Sequence, residues 1–195
     1  MKNLKVSFDK SISIESNKIL FDNKKQIVFV GRSNVGKSSL MNAIFQSKDL
    51  VKTSSSPWKT KLANLFKVNN KYYFVDLPGY WFAKLGQEQK AKLDALISWY
   101  LEEFSSEIKK IVVVLDSKLW PTETDIDMFK FLQGFWIPLI FVLNKIDRLS
   151  SNEIQKSVSH TQDIFFWQKV VTVSAKNNIW IDWLRKELIE SCKIS

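Results

Sequence analysis

At 195 residues and 45% hydrophobic, with one cysteine, the chain can bury a continuous core in one α/β domain, and Cys192 rules out an internal disulfide as a staple. No apolar run approaches a membrane span and Met1-Lys2-Asn3-Leu4-Lys5 lacks the apolar core of a signal peptide, so the expectation is a soluble, cytoplasmic, monomeric protein without a membrane partner. The net charge of +9 favours a polyanion such as RNA, although only Arg32, Arg148 and Arg185 of the 29 basic residues are arginine, a lysine bias that genome composition alone can produce.

Residues 1–24 alternate weakly through Val6, Phe8, Ile12 and Ile14, which predicts a strand or extended lead-in packing on the domain that occupies 25–192. A first core strand at 25–30 runs into Gly31-Arg32-Ser33-Asn34-Val35-Gly36-Lys37-Ser38, with the helix-forming Ser39 to Phe45 behind it. This is a Gly-x-x-x-x-Gly-Lys-Ser phosphate loop in its strand-loop-helix setting. Its glycines let backbone N–H groups turn inward onto phosphate oxygens, and the helix N-terminus adds its positive dipole end. Lys37 is placed to reach the β- and γ-phosphates and Ser38 to ligate Mg²⁺.

The helix is expected to end near Gln46, followed by a polar segment from Lys48 to Lys61 that no period organises and that reads as a mobile loop. Two strands, Leu62 to Val68 and Tyr72 to Asp76, flank the hairpin turn Asn69-Asn70-Lys71. The second meets Asp76-Leu77-Pro78-Gly79, where Asp76 suits Mg²⁺ and the Gly79 N–H the γ-phosphate, whose loss on hydrolysis it would sense. A helix from about Gln87 to Phe104 puts Leu93, Leu96, Ile97, Tyr100 and Leu101 on one face.

Ile111 to Leu115 is a strand covered on both sides, Thr122 to Leu132 a helix capped by Thr122 or Thr124, and Leu139 to Leu143 a further buried strand. That strand ends on Asn144-Lys145-Ile146-Asp147. A carboxylate at Asp147 accepts hydrogen bonds from N1–H and the 2-amino group of guanine, whereas adenine would leave it unpaired. A helix around Asn152 to His160, a strand Val170 to Val173, the segment Ser174-Ala175-Lys176 and an amphipathic helix through Ile181, Leu184 and Leu188 follow. A backbone N–H near Ala175 suits guanine O6. The predicted fold is α/β, a doubly wound, mostly parallel sheet of six or seven strands with one antiparallel hairpin strand and helices on both faces.

These motifs resemble the TrmE-Era-EngA-EngB-septin-like class of P-loop GTPases, and more closely the EngB/YihA (YsxC) family of ribosome-assembly GTPases, over Val28 to about Leu188. The resemblance rests on Gly-Arg-Ser-Asn-Val-Gly-Lys-Ser-Ser at 31–39, Asp-Leu-Pro-Gly-Tyr at 76–80, and the segment ending Pro57-Trp58-Lys59-Thr60-Lys61. It implies one G domain that binds GTP or GDP with Mg²⁺ and hydrolyses GTP slowly. It also implies action in assembly of the large ribosomal subunit, through rRNA, and a need for the protein in normal cell division and septation. Thr60, beside Lys61, falls on the switch threonine that would close on Mg²⁺ and the γ-phosphate. Lys37, Thr60, Asp76 and Gly79 thus become the expected catalytic set, and Ser38, Thr60 and Asp76 the metal ligands. Asn34 resembles the position through which some GTPases of this class recruit K⁺, and a plain loop-stabilising amide is the alternative. Tyr80 stands where a water-orienting glutamine could follow Gly79, and no arginine finger is offered, so acceleration is expected from a partner. A non-hydrolysing GTP-dependent binding module and a related GTPase of another role, such as tRNA modification or iron transport, are the rival readings.

Trp58, Trp81, Trp136 and Trp180 stand where the family has glycine, and Trp120 before Pro121 is a candidate fifth. The chain holds 5 glycines and 8 tryptophans, where average usage gives roughly 14 glycines. Tryptophan is a poor exchange where a loop needs φ > 0 or close backbone approach. The resulting expectation is that UGA encodes glycine at these positions; UGG codons there would make the tryptophans genuine.

Overall fold

In the computed structural model, which describes residues 4–16, 22–52, 62–80 and 86–193, a seven-stranded sheet carries helices on both faces. In chain order the elements are β1 (Val6–Ile12), β2 (Gln26–Gly31), α1 (Lys37–Phe45), β3 (Ala63–Val68), β4 (Tyr72–Asp76), α2 (Gln87–Glu103), β5 (Ile108–Asp116), α3 (Glu123–Gln133), β6 (Leu139–Asn144), α4 (Ser151–Ile164), β7 (Lys169–Thr172) and α5 (Ile181–Ser191). The strand order is β1-β3-β4-β2-β5-β6-β7. β3 pairs antiparallel with both β1 and β4, while β4, β2, β5, β6 and β7 pair in parallel. A single strand therefore runs against the rest, and β1 is built into the sheet as its edge.

The continuous aliphatic runs follow from burial on both faces. In β2, Val28 and Val30 join one apolar cluster while Ile27 and Phe29 join the other; in β5, Ile111, Val113 and Leu115 oppose Val112 and Val114. The first cluster is closed by α2 (Ile97, Tyr100, Leu101) and α3 (Met128, Phe129, Leu132), the second by α1 (Leu40, Met41, Ile44) and α5 (Ile181, Leu184, Leu188). Cys192 lies buried at the end of α5, where burial pushes its thiol up to about 11.

Two elements are longer than the sequence pattern predicts. β5 starts at Ile108, since Lys109 and Lys110 are half-buried and Lys110 reaches Glu187 (3.3 Å); two consecutive lysines ahead of the aliphatic run hid the beginning of the strand. α4 starts at Ser151 under a reciprocal capping box, the Ser150 N–H and hydroxyl both donating to Glu153 (2.7 Å each).

The C-terminal half of α1 is held by two contacts from outside the helix. At its C-terminus, Arg185 of α5 donates through Nε to the Ile44 carbonyl (2.6 Å), one of the carbonyls a helix end leaves without an intrahelical partner, and through Nη2 to that of Ala43 (3.1 Å), which it shares with the Gln46 N–H (3.2 Å). Asn42, on the buried side of α1, grips the main chain of Val51 with both amide atoms (2.7 and 2.8 Å), which anchors the chain where it heads towards residue 53.

The tryptophans divide sharply by backbone. Trp136 (φ +56°) and Trp180 (φ +60°), two of the four glycine candidates, lie in the left-handed region, as does Trp167 (φ +68°), which is outside that set. Trp136 and Trp167 are 94% and 95% exposed, so no packing compensates the strain. Trp120 has no positive φ and stacks on His160 at 4.1 Å between ring centroids. Trp58 and Trp81 lie outside the described residues. Trp136→Gly, Trp167→Gly and Trp180→Gly are each expected to stabilise the fold by about 0.5–1 kcal/mol, the relief of left-handed strain exceeding the entropy that glycine adds to the unfolded chain. Urea unfolding midpoints check this, and a loss of stability at Trp136 or Trp167 would show that the indole is not a strained bystander.

Candidate nucleotide site

Because β2, β4, β5, β6 and β7 are parallel, their carboxyl ends open at one edge of the sheet, the place where open α/β sheets bind ligands. That edge collects Gly31, Asp76, Asp116 and Asn144 at the strand ends and Ser174 just past β7. The loop after β2 has no room for side chains at its glycines. A Cβ on Gly31 would lie 2.7 Å from the Val114 carbonyl oxygen, and one on Gly36, which has φ +93°, would lie 2.5 Å from Asn144 Nδ2. Asn34 also takes a left-handed conformation (φ +66°), and α1 then begins at Lys37 with Ser38 and Ser39 in its first turn. Ser33, Asn34 and Val35 complete the curl, and Lys37 is buried beneath it.

Asp76, at the end of β4, is ion-paired with Lys37, both side chains being nearly inaccessible. The next residues turn back over the loop: the Leu77 N–H donates to the Phe29 carbonyl (3.2 Å), Leu77 and Pro78 are buried, and a Cβ on Gly79 would meet Gly31 O and Ser33 N at 3.3 Å each. Glycine at 79 is thus what lets the backbone lie directly against the phosphate loop.

On the other side, Asn144 acts as a bracket. Its Nδ2 donates to the carbonyls of Val35 and Gly36 (3.3 Å each) and its Oδ1 accepts from the Ala175 N–H (3.1 Å), so one amide joins three motifs. Lys145, in a left-handed conformation, extends its ammonium to the Asn34 carbonyl and to Asp116, both at 2.6 Å. Ile146 is buried, and Asp147 Oδ1 accepts from the Ser174 hydroxyl (2.6 Å), which itself accepts from the Asn177 N–H (3.1 Å). The second Asp147 oxygen is left for a donor on a base. Since the Ala175 N–H already serves Asn144, a base oxygen there shares that donor or takes the neighbouring N–H of Lys176.

Thr60 and Lys61 lie outside the described residues. Arg32 belongs to the loop by its backbone only: its guanidinium turns to Asp125 of α3, Nε lying 3.0 and 2.9 Å from the two carboxylate oxygens. Two acidic residues escaped the sequence reading. Asp116 is directly in register with Asn144 across the β5–β6 pair, and its place at the end of an aliphatic strand was the available signal. Asp125 stands in the first turn of α3, a common place for an acidic residue. It is completely buried and accepts from Arg32, from the Tyr80 hydroxyl (2.9 Å) and from the Thr122 N–H and hydroxyl (2.9 Å each). Burial, and then the adjacent Asp125 carboxylate, push the Tyr80 phenol well above its ordinary range, which keeps it a donor.

Among the described residues no three His, Cys, Asp or Glu side chains cluster to cage a metal. Ser38 and Asp76 offer one hydroxyl and one carboxylate, the sparse donor set that suits Mg²⁺ completed by phosphate oxygens and water. No helix among the described residues is long and apolar enough to cross a membrane.

Against known proteins, residues 26–145 match the family model described as a 50S ribosome-binding GTPase. A "probable GTP-binding protein EngB" of Clostridium kluyveri is 42% identical over 142 residues, 73% of this chain and 72% of that protein. A protein of the same description from Kosmotoga olearia is 38% identical over 169 residues, 85% and 88% of the two chains. The crystal structure of a "probable GTP-binding protein engB" superposes with a TM-score of 0.74 at 24% identity, covering 86% of this chain and 98% of the other.

Proposed function

The chain belongs to the EngB family of GTP-binding proteins and is a GTPase, and from that premise we propose that it is a GTP-dependent switch acting in assembly of the large ribosomal subunit. The observation that carries the switch reading is the Asn144 bracket, which ties the phosphate loop to the base-reading segments. Phosphate and guanine are then sensed by one connected set of backbone. Lys37 holds the terminal phosphates, and Asp147 selects guanine. Ser38, Asp76 and Thr60 would hold Mg²⁺, which when bound neutralises phosphate charge. The Gly79 N–H, pressed on the loop, reports the γ-phosphate.

The ribosomal part is supported by the family description and by the net charge of +9, which suits rRNA. On the same reading the protein works in the cytoplasm as a monomer, and normal cell division and septation depend on it. The Tyr80 hydroxyl is engaged by Asp125, so it does not orient an attacking water, and intrinsic turnover is slow until a partner accelerates it. The Asn34 carbonyl is engaged by Lys145 and its backbone shapes the loop, while its side chain remains the candidate K⁺ contact.

Co-sedimentation with large ribosomal subunits in GTP and in GDP tests the proposal. Binding is expected in GTP and loss of it in GDP, together with a rise in GTP turnover of at least about tenfold on subunits. Equal sedimentation in both nucleotides, with no change in turnover, would sink the ribosomal switch. Running the turnover in K⁺ and in Na⁺ decides the role of Asn34: equal rates leave it a loop-shaping residue.

A further inference from the structure

The buried carboxylate of Asp125 is spent on a junction that the nucleotide chemistry does not itself require. Arg32 of the phosphate loop and Tyr80 of the chain beyond Gly79 form a parallel bridge, so the two backbones run side by side. Both side chains then converge on the same acceptor. Arg32 Nε lies 3.0 Å from Asp125 Oδ1 and 2.9 Å from Oδ2, and the Tyr80 hydroxyl donates to Oδ1 at 2.9 Å. Oδ2 is further occupied by the Thr122 N–H and hydroxyl, 2.9 Å each, which caps α3. A helix cap needs only those last two contacts, and an exposed aspartate supplies them at ordinary cost. Complete burial of the carboxylate is costly unless it is paired and fully hydrogen-bonded, so the Arg32 and Tyr80 contacts hold each other in place through it.

We propose that Asp125 is a positioning residue for the γ-phosphate sensor: by gripping Tyr80 and Arg32 together it fixes the Gly79 N–H against the phosphate loop. This rests on the reading of the chain as a GTP switch. The geometry explains why the grip acts on Gly79 rather than on stability alone. Gly79 is the residue immediately before Tyr80, and its Cα already stands so close to Gly31 and Ser33 that a methyl group would touch both at 3.3 Å. Releasing the phenol frees the chain just past the sensor while leaving Lys37, Ser38 and the base-reading segments untouched. GDP, which has no γ-phosphate, does not use the contact that the grip holds ready. The effect therefore falls on the triphosphate.

Tyr80→Phe keeps the buried ring and removes only the hydroxyl. It is expected to weaken binding of the non-hydrolysable analogue GppNHp by about tenfold relative to GDP, with GDP affinity unchanged within about twofold. GTP turnover should show kcat falling by a similar factor. Asp125→Leu, which removes both acceptor oxygens, is expected to give at least the same shift, and the double variant no further shift in the GppNHp:GDP ratio than Asp125→Leu alone, because Tyr80 acts through Asp125. A purely structural role would lower thermal stability and leave the ratio and kcat where they were. An unchanged ratio in Tyr80→Phe, or additive shifts in the double variant, would overturn the proposal; if Asp125→Leu does not fold, the Tyr80→Phe ratio decides alone. Failure of the unaltered protein to bind either guanine nucleotide would strike at the switch reading itself, and this proposal would fall with it.

Discussion

Lys37→Ala is expected to lower GTP affinity by at least about 100-fold, about 2.7 kcal/mol. The charge that neutralises the terminal phosphates is removed, and a second effect adds to it. Asp76, buried at the end of β4, has Lys37 as its ion-pair partner. Losing that partner leaves an uncompensated carboxylate in the interior, facing the place where phosphate must bind. Repulsion of the phosphates and a drop in melting temperature should therefore appear together. Equilibrium titration with a fluorescent GTP analogue, alongside thermal unfolding, separates them: an affinity equal to that of the unaltered protein would remove the phosphate-loop assignment outright.

Asp147→Asn is expected to exchange guanine for xanthine as the preferred base, with a swing of about 10³-fold or more in the GTP:XTP affinity ratio. Xanthine carries an oxygen where guanine has its 2-amino group, so an amide donor fits where a carboxylate does not. The structure adds a reason why the variant should stay folded. Oδ1 of residue 147 only accepts from the Ser174 hydroxyl, and an asparagine oxygen does the same, leaving its NH₂ turned to the base. Competition binding of GTP and XTP reads the swing; retained guanine selectivity would place base recognition elsewhere.

The order and type of the elements, both faces of the core and the convergence of the phosphate and base motifs could be read from residue patterns because each has a local signature. Aliphatic runs in β2, β5 and β6 announce burial on both faces, and glycines at 31, 36 and 79 announce close backbone approach. What the pattern withheld is long-range. Arg32 looks like a phosphate ligand from its place in the loop, and only the fold shows its guanidinium committed to Asp125, 93 residues away. Asp116 and Asp125 are ordinary aspartates until the sheet register and the α3 approach give them Lys145 and Tyr80 as partners. The tryptophans are the converse case. Composition raised the question, but φ angles at Trp136, Trp167 and Trp180 are what separate residues that occupy glycine geometry from Trp120, which does not.

The grip of Arg185 on the α1 carbonyls spans 141 and 142 positions in sequence, and the base-reading Ser174 to Lys176 also lies far beyond the phosphate loop. During synthesis the nascent chain therefore carries its phosphate loop into solution long before the groups that brace and complete it. Contacts of such sequence separation form late, after the loop-closure entropy has been met. A chain that stops short of Ser174 and Arg185 is therefore expected to lack both the segment assigned to the base and the brace on α1.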